Sequence, residues 1–311
     1  MSVSFYPDGV ENEANLRRIE DAANLLGITS SATLGGRLIA VENAPGAREI
    51  YGRKPLRDDR ATIAVGNERR GVSGRLLAAA DETVVIPTQS RTVTTLNVAA
   101  AAAVAGWFLL RGSGPQATAA RPEHRQPALL LVGDDHVEVG STLRSAAAFG
   151  FREVLLEDRG AGWFDGSSNV RREARAAARR HKNPLRVRPT TIADSARRYD
   201  EIVVVTAAGS GTPLSRERLT RGLRQLVIVG ARADEVAPSA NVRVASLGLR
   251  PLEYDPLRLT ASIVLAEIAR QVGRRRPVPG AQSRAPRYEK AFEPPPAPDV
   301  LLVDPADLLT F

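Results

Sequence analysis

Seven short apolar runs, TIAVG, ETVVIP, ALLLVG, EVLLED, EIVVVTA, QLVIVG and VRVASL, punctuate the chain. They are separated by segments of helical spacing such as EVGSTLRSAAAFG and LTASIVLAEIARQV. Near-continuous Val/Ile/Leu runs suit strands buried on both faces, and strands joined through helices lie parallel. The alternation therefore predicts α/β units around largely parallel sheets.

At 311 residues and 43% apolar content, the chain is long enough for two domains, each with a core. It has no cysteine, which excludes disulfides, thiolate metal ligands and cysteine nucleophiles. Its three histidines, His124, His136 and His181, are scattered, so no protein-held metal is expected. No run approaches the roughly 20 apolar residues that span a bilayer, and the start MSVSFYPDGVENEA has no basic flank leading into an apolar stretch. These features predict a cytoplasmic protein with no membrane partner.

Residues 111–127, RGSGPQATAARPEHRQP, interrupt the apolar pattern with Gly, Pro, Ala and polar residues, as a linker does. The expected organisation is a first unit over 1–112, a linker over 113–127, a second unit over 128–276 and a Pro-rich tail over 277–311. The two units repeat one plan. NLRRIEDAANLLG, AVGNERRG, ETVVIP and TLNVAAAAAVAGWFLL in the first are echoed by EVGSTLRSAAAFG, VIVGARADE, VRVASL and RLTASIVLAEIARQV in the second. The second unit also carries an arginine-dense helical segment, RREARAAARRHKNPLRVRP.

The net charge is +8, and nearly every cation is arginine, the lysines being Lys54, Lys182 and Lys290. Arginine forks grip phosphates in pairs of hydrogen bonds and stack on bases, which favours a nucleic-acid partner. A coding bias towards arginine and alanine would leave the same basic surface, and charge alone does not separate the two.

The densest stretch is 64–107. There Gly66-Asn67-Glu68-Arg69-Arg70-Gly71 follows one strand, a second strand closes in Ile86-Pro87, and Thr95-Leu96-Asn97 opens a helix of small residues. The glycine turn alone is a common loop, and Asn97 alone is an ordinary helix cap. Their order and spacing, however, resemble the second and third motifs of the SpoU or TrmH branch of the SPOUT RNA methyltransferases.

The resemblance implies two tandem SPOUT-like α/β domains with parallel sheets and C-terminal trefoil knots, an exception to the usual unknotted topology. It also implies S-adenosylmethionine as cofactor. Gly66, Ile86 and Leu96 match the positions that line it, with Asn67, Gly71 and Pro87 beside them. Glu68 and Asn97 match polar positions that shape the pocket, and Thr95 stands where the family usually has serine.

The family's first motif places an Asn six residues before an Arg on a helix that ends in Gly, and the Arg is its catalytic candidate. Counting back from Gly150, Arg144 holds the arginine position and Glu138 replaces the Asn. Counting back from Gly27, Asn15 is kept and Asp21 replaces the Arg. Family members pair so that one subunit's first motif meets the other's pocket. A monomeric pseudo-dimer would thus bring Arg144, and with it Glu138, to the pocket of Gly66, Glu68 and Asn97. The second pocket, around Gly230 to Glu235 and Leu259-Thr260-Ala261, is expected to be empty.

The implied reaction is methylation of a ribose 2′-hydroxyl in rRNA or tRNA, with Arg69, Arg70 and residues 171–180 and 274–276 as phosphate contacts. A noncatalytic RNA-binding or assembly protein is the rival suggested by Glu138 and Asp21. A methyltransferase with a non-ribose acceptor is the third reading.

Overall fold

The computed structural model describes residues 2–57, 60–90, 93–117, 126–163, 185–219, 224–236, 241–254 and 256–273. The arginine-dense segment 171–180, residues 274–276, the tail from 277, His124 and His181 lie outside the described residues.

The first half contains β1 (Ser2–Asp8), α1 (Glu13–Leu26), β2 (Thr29–Ser30), β3 (Arg37–Val41), β4 (Arg48–Glu49), β5 (Arg60–Gly66), α2 (Gly74–Ala79), β6 (Glu82–Val85) and α3 (Val98–Arg111). Its strands form one parallel sheet in the order β2-β1-β5-β3-β6-β4. β1 and β3, absent from the seven apolar runs, are both interior strands of this sheet. In β1 the buried Val3 and Phe5 alternate with more exposed neighbours, a weaker signal than a continuous run.

The second half contains β7 (Ala128–Val132), α4 (His136–Ala148), β8 (Glu153–Glu157), β9 (Arg186–Pro189), α5 (Ile192–Ala196), β10 (Glu201–Thr206), β11 (Thr212–Pro213), β12 (Gln225–Val229), β13 (Val242–Ser246) and α6 (Leu257–Val272). Its sheet is also parallel, in the order β11-β13-β10-β12-β7-β8-β9. With β9 set aside as an added edge strand, β7, β8, β10, β11, β12 and β13 take the places of β1 to β6. The order is then the same as in the first sheet.

Alternation along the strands divides the core into layers. Ala61, Ile63 and Val65 of β5, with Leu129 and Leu131 of β7, face one cluster that runs through both halves. The intervening Ala64 faces a small cluster under α2 with Leu38, Val72 and Leu76. Leu130 and Val132 face another under α5 with Ile192, Val204 and Ile228.

Between the sheets, α1 packs on α3, α3 on α6 and α6 on α4. This explains why the alanine helix α3 is apolar nearly all round, since it has protein on every side. Trp107 Nε1 donates to Leu247 O at 3.2 Å and the Tyr51 hydroxyl to Ala266 O at 3.1 Å, so the two halves share polar as well as apolar contacts. Two residues of the expected linker are held too, as Ala117 N donates to Arg270 O at 3.0 Å and Gly52 N to Gly114 O at 3.0 Å.

Gly106 sits where α3 crosses α1. A Cβ there would overlap the Leu26 side chain and approach the Phe5 ring to 2.8 Å. Gly106→Ala is expected to cost about 1–3 kcal/mol by overpacking, despite alanine's better helix propensity. Urea unfolding checks this, and an unchanged midpoint would mean that the helices can part freely. No described helix is long and apolar enough to cross a membrane.

Candidate active site

In a parallel sheet every strand points its carboxyl end to one edge, where loops from several strands can meet. Here that edge carries Gly66 at the end of β5, Glu42 after β3 and Ile86-Pro87 after β6.

The Gly66–Gly71 turn folds back on itself. Asn67 N donates to Gly71 O at 3.0 Å and Gly71 N to Asn67 O at 2.8 Å. A Cβ on Gly66 would collide with the Gly71 and Val72 backbone, and Gly71 has φ +69°, where a side chain is strained. Both glycines are therefore required by the turn itself, ahead of any need to admit a ligand. Asn67 steadies it from within, accepting from Arg69 N at 2.9 Å and donating to Gly9 O at 2.7 Å. Glu42 steadies it from below, accepting from Val72 N at 2.8 Å. Sequence reasoning passed over Glu42; its position just after an interior parallel strand was the available signal.

The turn aims Glu68 at the first helix. Asn15 Nδ2 donates to Glu68 Oε1, and Asn97 Nδ2 donates to Asn15 Oδ1 at 3.2 Å. Asn97 Oδ1 meanwhile caps α3 by accepting from Ala99 N at 3.0 Å. The cap and the bond to Asn15 are thus two ends of one amide. Asn15, Glu68 and Asn97, from three segments, form a single chain of hydrogen bonds.

The second half reaches this place through α4. Arg144 Nη2 donates to Thr95 Oγ1 at 3.1 Å. Gln89 N and Ser90 N donate to Ala148 O at 2.8 and 3.1 Å, so the loop after β6 lies against the end of the same helix. Ile86 and Leu96 are half-buried against the shared core, and Pro87 is buried.

Glu138 lies elsewhere, and its expected catalytic role changes accordingly. Its side chain is 5% exposed, and its oxygens accept from Arg258 N at 3.0 Å and Arg258 Nε at 2.8 Å. Arg18, from α1, joins it at 2.9 Å. A carboxylate enclosed by two arginines is not presented to a substrate phosphate or ribose. Arg18, which sequence reasoning also missed among many helical arginines, donates to the Tyr254 hydroxyl at 2.6 Å, and that hydroxyl bonds to Asp21. Burial, followed by the bond to Asp21, pushes the Tyr254 hydroxyl up to about 12.

In the second half the described chain after β13 is non-helical over 247–254, and α6 begins at Leu257. Leu259, Thr260 and Ala261, expected at the second pocket, already belong to α6 and are buried. Leu257 fills the space beside Gly133 and Gly230, lying 3.0 Å from where a Cβ of either would stand. Arg159 donates to Gly230 O at 3.1 Å and to Glu235 at 2.9 Å. The Arg258 N–H is taken by Glu138, and Leu259 N and Thr260 N donate to Pro256 O at 2.9 and 3.2 Å.

Of the arginines expected at RNA, Arg70 pairs with Glu11. Among the described residues no cluster of three or more His, Cys, Asp or Glu could hold a metal ion.

Residues 9–107 match the model of the SpoU rRNA Methylase family. No curated protein matches significantly. A solved structure of a protein assigned to the TrmH family of RNA methyltransferases, from Porphyromonas gingivalis, aligns with 63% of this chain and 79% of that one. Its identity is 20% and its TM-score 0.34, too loose to carry an argument about residues. The matched segment, which holds the glycine turn, Glu68 and Asn97, is thus similar to the SpoU rRNA methylases.

Proposed function

We propose that the chain methylates a ribose 2′-hydroxyl of rRNA or tRNA through one composite site, built by two tandem SPOUT-like units over 1–112 and 128–276. The knots implied by the resemblance, the residue roles and the monomeric pseudo-dimer are part of this reading. The observation that carries it is Arg144, from the second half, bonded to Thr95 in the cofactor loop of the first.

The residues at the strand ends suit S-adenosylmethionine. Ile86, Pro87 and Leu96 offer apolar walls, and residues 93–96 are non-helical and precede the α3 ladder, which begins with Ala101 N donating to Asn97 O. Small buried side chains at Ala99 and Ala100 allow close approach. When bound, the cofactor supplies an electrophilic methyl group for an in-line displacement.

The protein's share is to orient the hydroxyl, exclude water and stabilise charge. Arginine stays charged, its pKa exceeding about 12, so Arg144 serves best by holding a substrate phosphate and stabilising negative charge on the attacking oxygen. The polar chain of Asn15, Glu68 and Asn97 fixes the turn and the α3 cap relative to each other.

Calorimetry with S-adenosylmethionine tests the asymmetry. One site per chain is expected, and Asn97→Ala should weaken it by about tenfold or more, through loss of the cap and the Asn15 bond. Two equal sites, or none, would contradict the proposal. Mass spectrometry of RNA nucleosides with and without the gene then names the modified nucleotide, and a new base methylation in place of 2′-O-methylation would redirect it.

A further inference from the structure

We propose that Glu138, clamped between Arg18 and Arg258, is a positioning residue that sets Arg144 against the cofactor loop; this rests on the composite site proposed above. The cluster joins three helices. Glu138 opens α4, Arg258 opens α6, and Arg18 belongs to α1 of the other half.

Its place along these helices gives it leverage. On α1, Arg18 lies one turn beyond Asn15, which holds Glu68 and Asn97. On α4, Glu138 precedes Arg144 by six residues, roughly 9 Å of helix, and the far end of α4 is fastened to the loop by Ala148 O. On a helix that packs along α6, Arg144 therefore lies between two ties to the first half, one to the cofactor loop and one, through Glu138 and Arg18, to the helix that carries Asn15.

The chemistry of the cluster fits a register device. Its carboxylate accepts a backbone N–H and an Nε–H from the same arginine, an arrangement that fixes direction as well as distance. Arg18 supplies the link across the halves at 2.9 Å and is itself held by Asp21 and the Tyr254 ring, 5.3 Å from its guanidinium carbon. Glu138 thus gives the second half an ionic tie to the first. The tie acts on Arg144 by orientation, without touching cofactor or RNA.

The test uses Arg18→Met, which removes the cross-link at a partly exposed position and leaves the buried Glu138–Arg258 pair whole, with Arg18→Lys as the conservative control. Because the chain has no cysteine, Glu20→Cys and Asp134→Cys can carry paired spin labels that report the spacing of α1 and the start of α4. Arg18→Met should shift or broaden that distance distribution, and Arg18→Lys should restore it.

With RNA from cells lacking the gene as acceptor, Arg18→Met should lower kcat at least about tenfold, leave the KM for S-adenosylmethionine within about twofold, and be rescued by Arg18→Lys. An unchanged distance distribution, or unchanged kcat in an active enzyme, overturns the positioning role. Wild-type protein that binds no S-adenosylmethionine would instead overturn the functional reading, while the distance measurement still judges the tie.

Discussion

Arg144→Ala is expected to lower methyl transfer by on the order of 100- to 1000-fold, the usual cost of deleting one donor that stabilises developing charge. S-adenosylmethionine binding should stay within about twofold, because the residues proposed to line the cofactor all belong to the first half. The Thr95 hydroxyl, which loses its Arg144 partner at 3.1 Å, is exposed and can turn to water. Radiolabelled transfer to hypomethylated RNA, beside calorimetry on the same protein, separates these outcomes. Full turnover with normal cofactor binding would remove the composite site, whereas loss of both would mean that Arg144 holds the loop's shape.

The largest expected stability loss follows Glu138→Ala, about 3–5 kcal/mol, the cost of stranding one charge of a buried pair. The Arg258 side chain is 6% exposed and has no short path to water, while Arg18, at 24%, can swing outward. Glu138 also sits against the first turn of α6, where a negative charge is favourable. The double variant Glu138→Leu with Arg258→Met should recover most of the loss in urea unfolding, since replacing both charges removes the unpaired guanidinium. If the double variant is no more stable than Glu138→Ala, packing rather than charge explains the loss. If the positioning role is right, the double variant folds well and still turns over slowly.

Much of the fold was legible because the strands are apolar runs and the helices bury periodic faces. Each of the seven runs contributes a strand, and both sheets are parallel. β1 and β3 were less visible because their signals are short or alternating, although they lie within the sheet rather than at its edge.

The candidate site was legible where a side chain's role is set locally. Asn97 caps α3, and Gly66 and Gly71 shape a tight turn, as their residue types require. Glu138 was misjudged because its role depends on Arg258, 120 residues further on, and on Arg18 in the other half. No local pattern marks such a partner, least of all in a chain with so many arginines.

By itself the sequence determined the α/β class and the tight glycine turn, since these follow from hydrophobic period and from the backbone freedom of particular residues. Tertiary structure decided which charges meet. It placed Arg144 on Thr95, enclosed Glu138 between two arginines, and set Leu259, Thr260 and Ala261 within α6. Ion pairs and packing depend on separations in space, and two helices carrying related motifs acquire opposite roles according to what the other half sets against them.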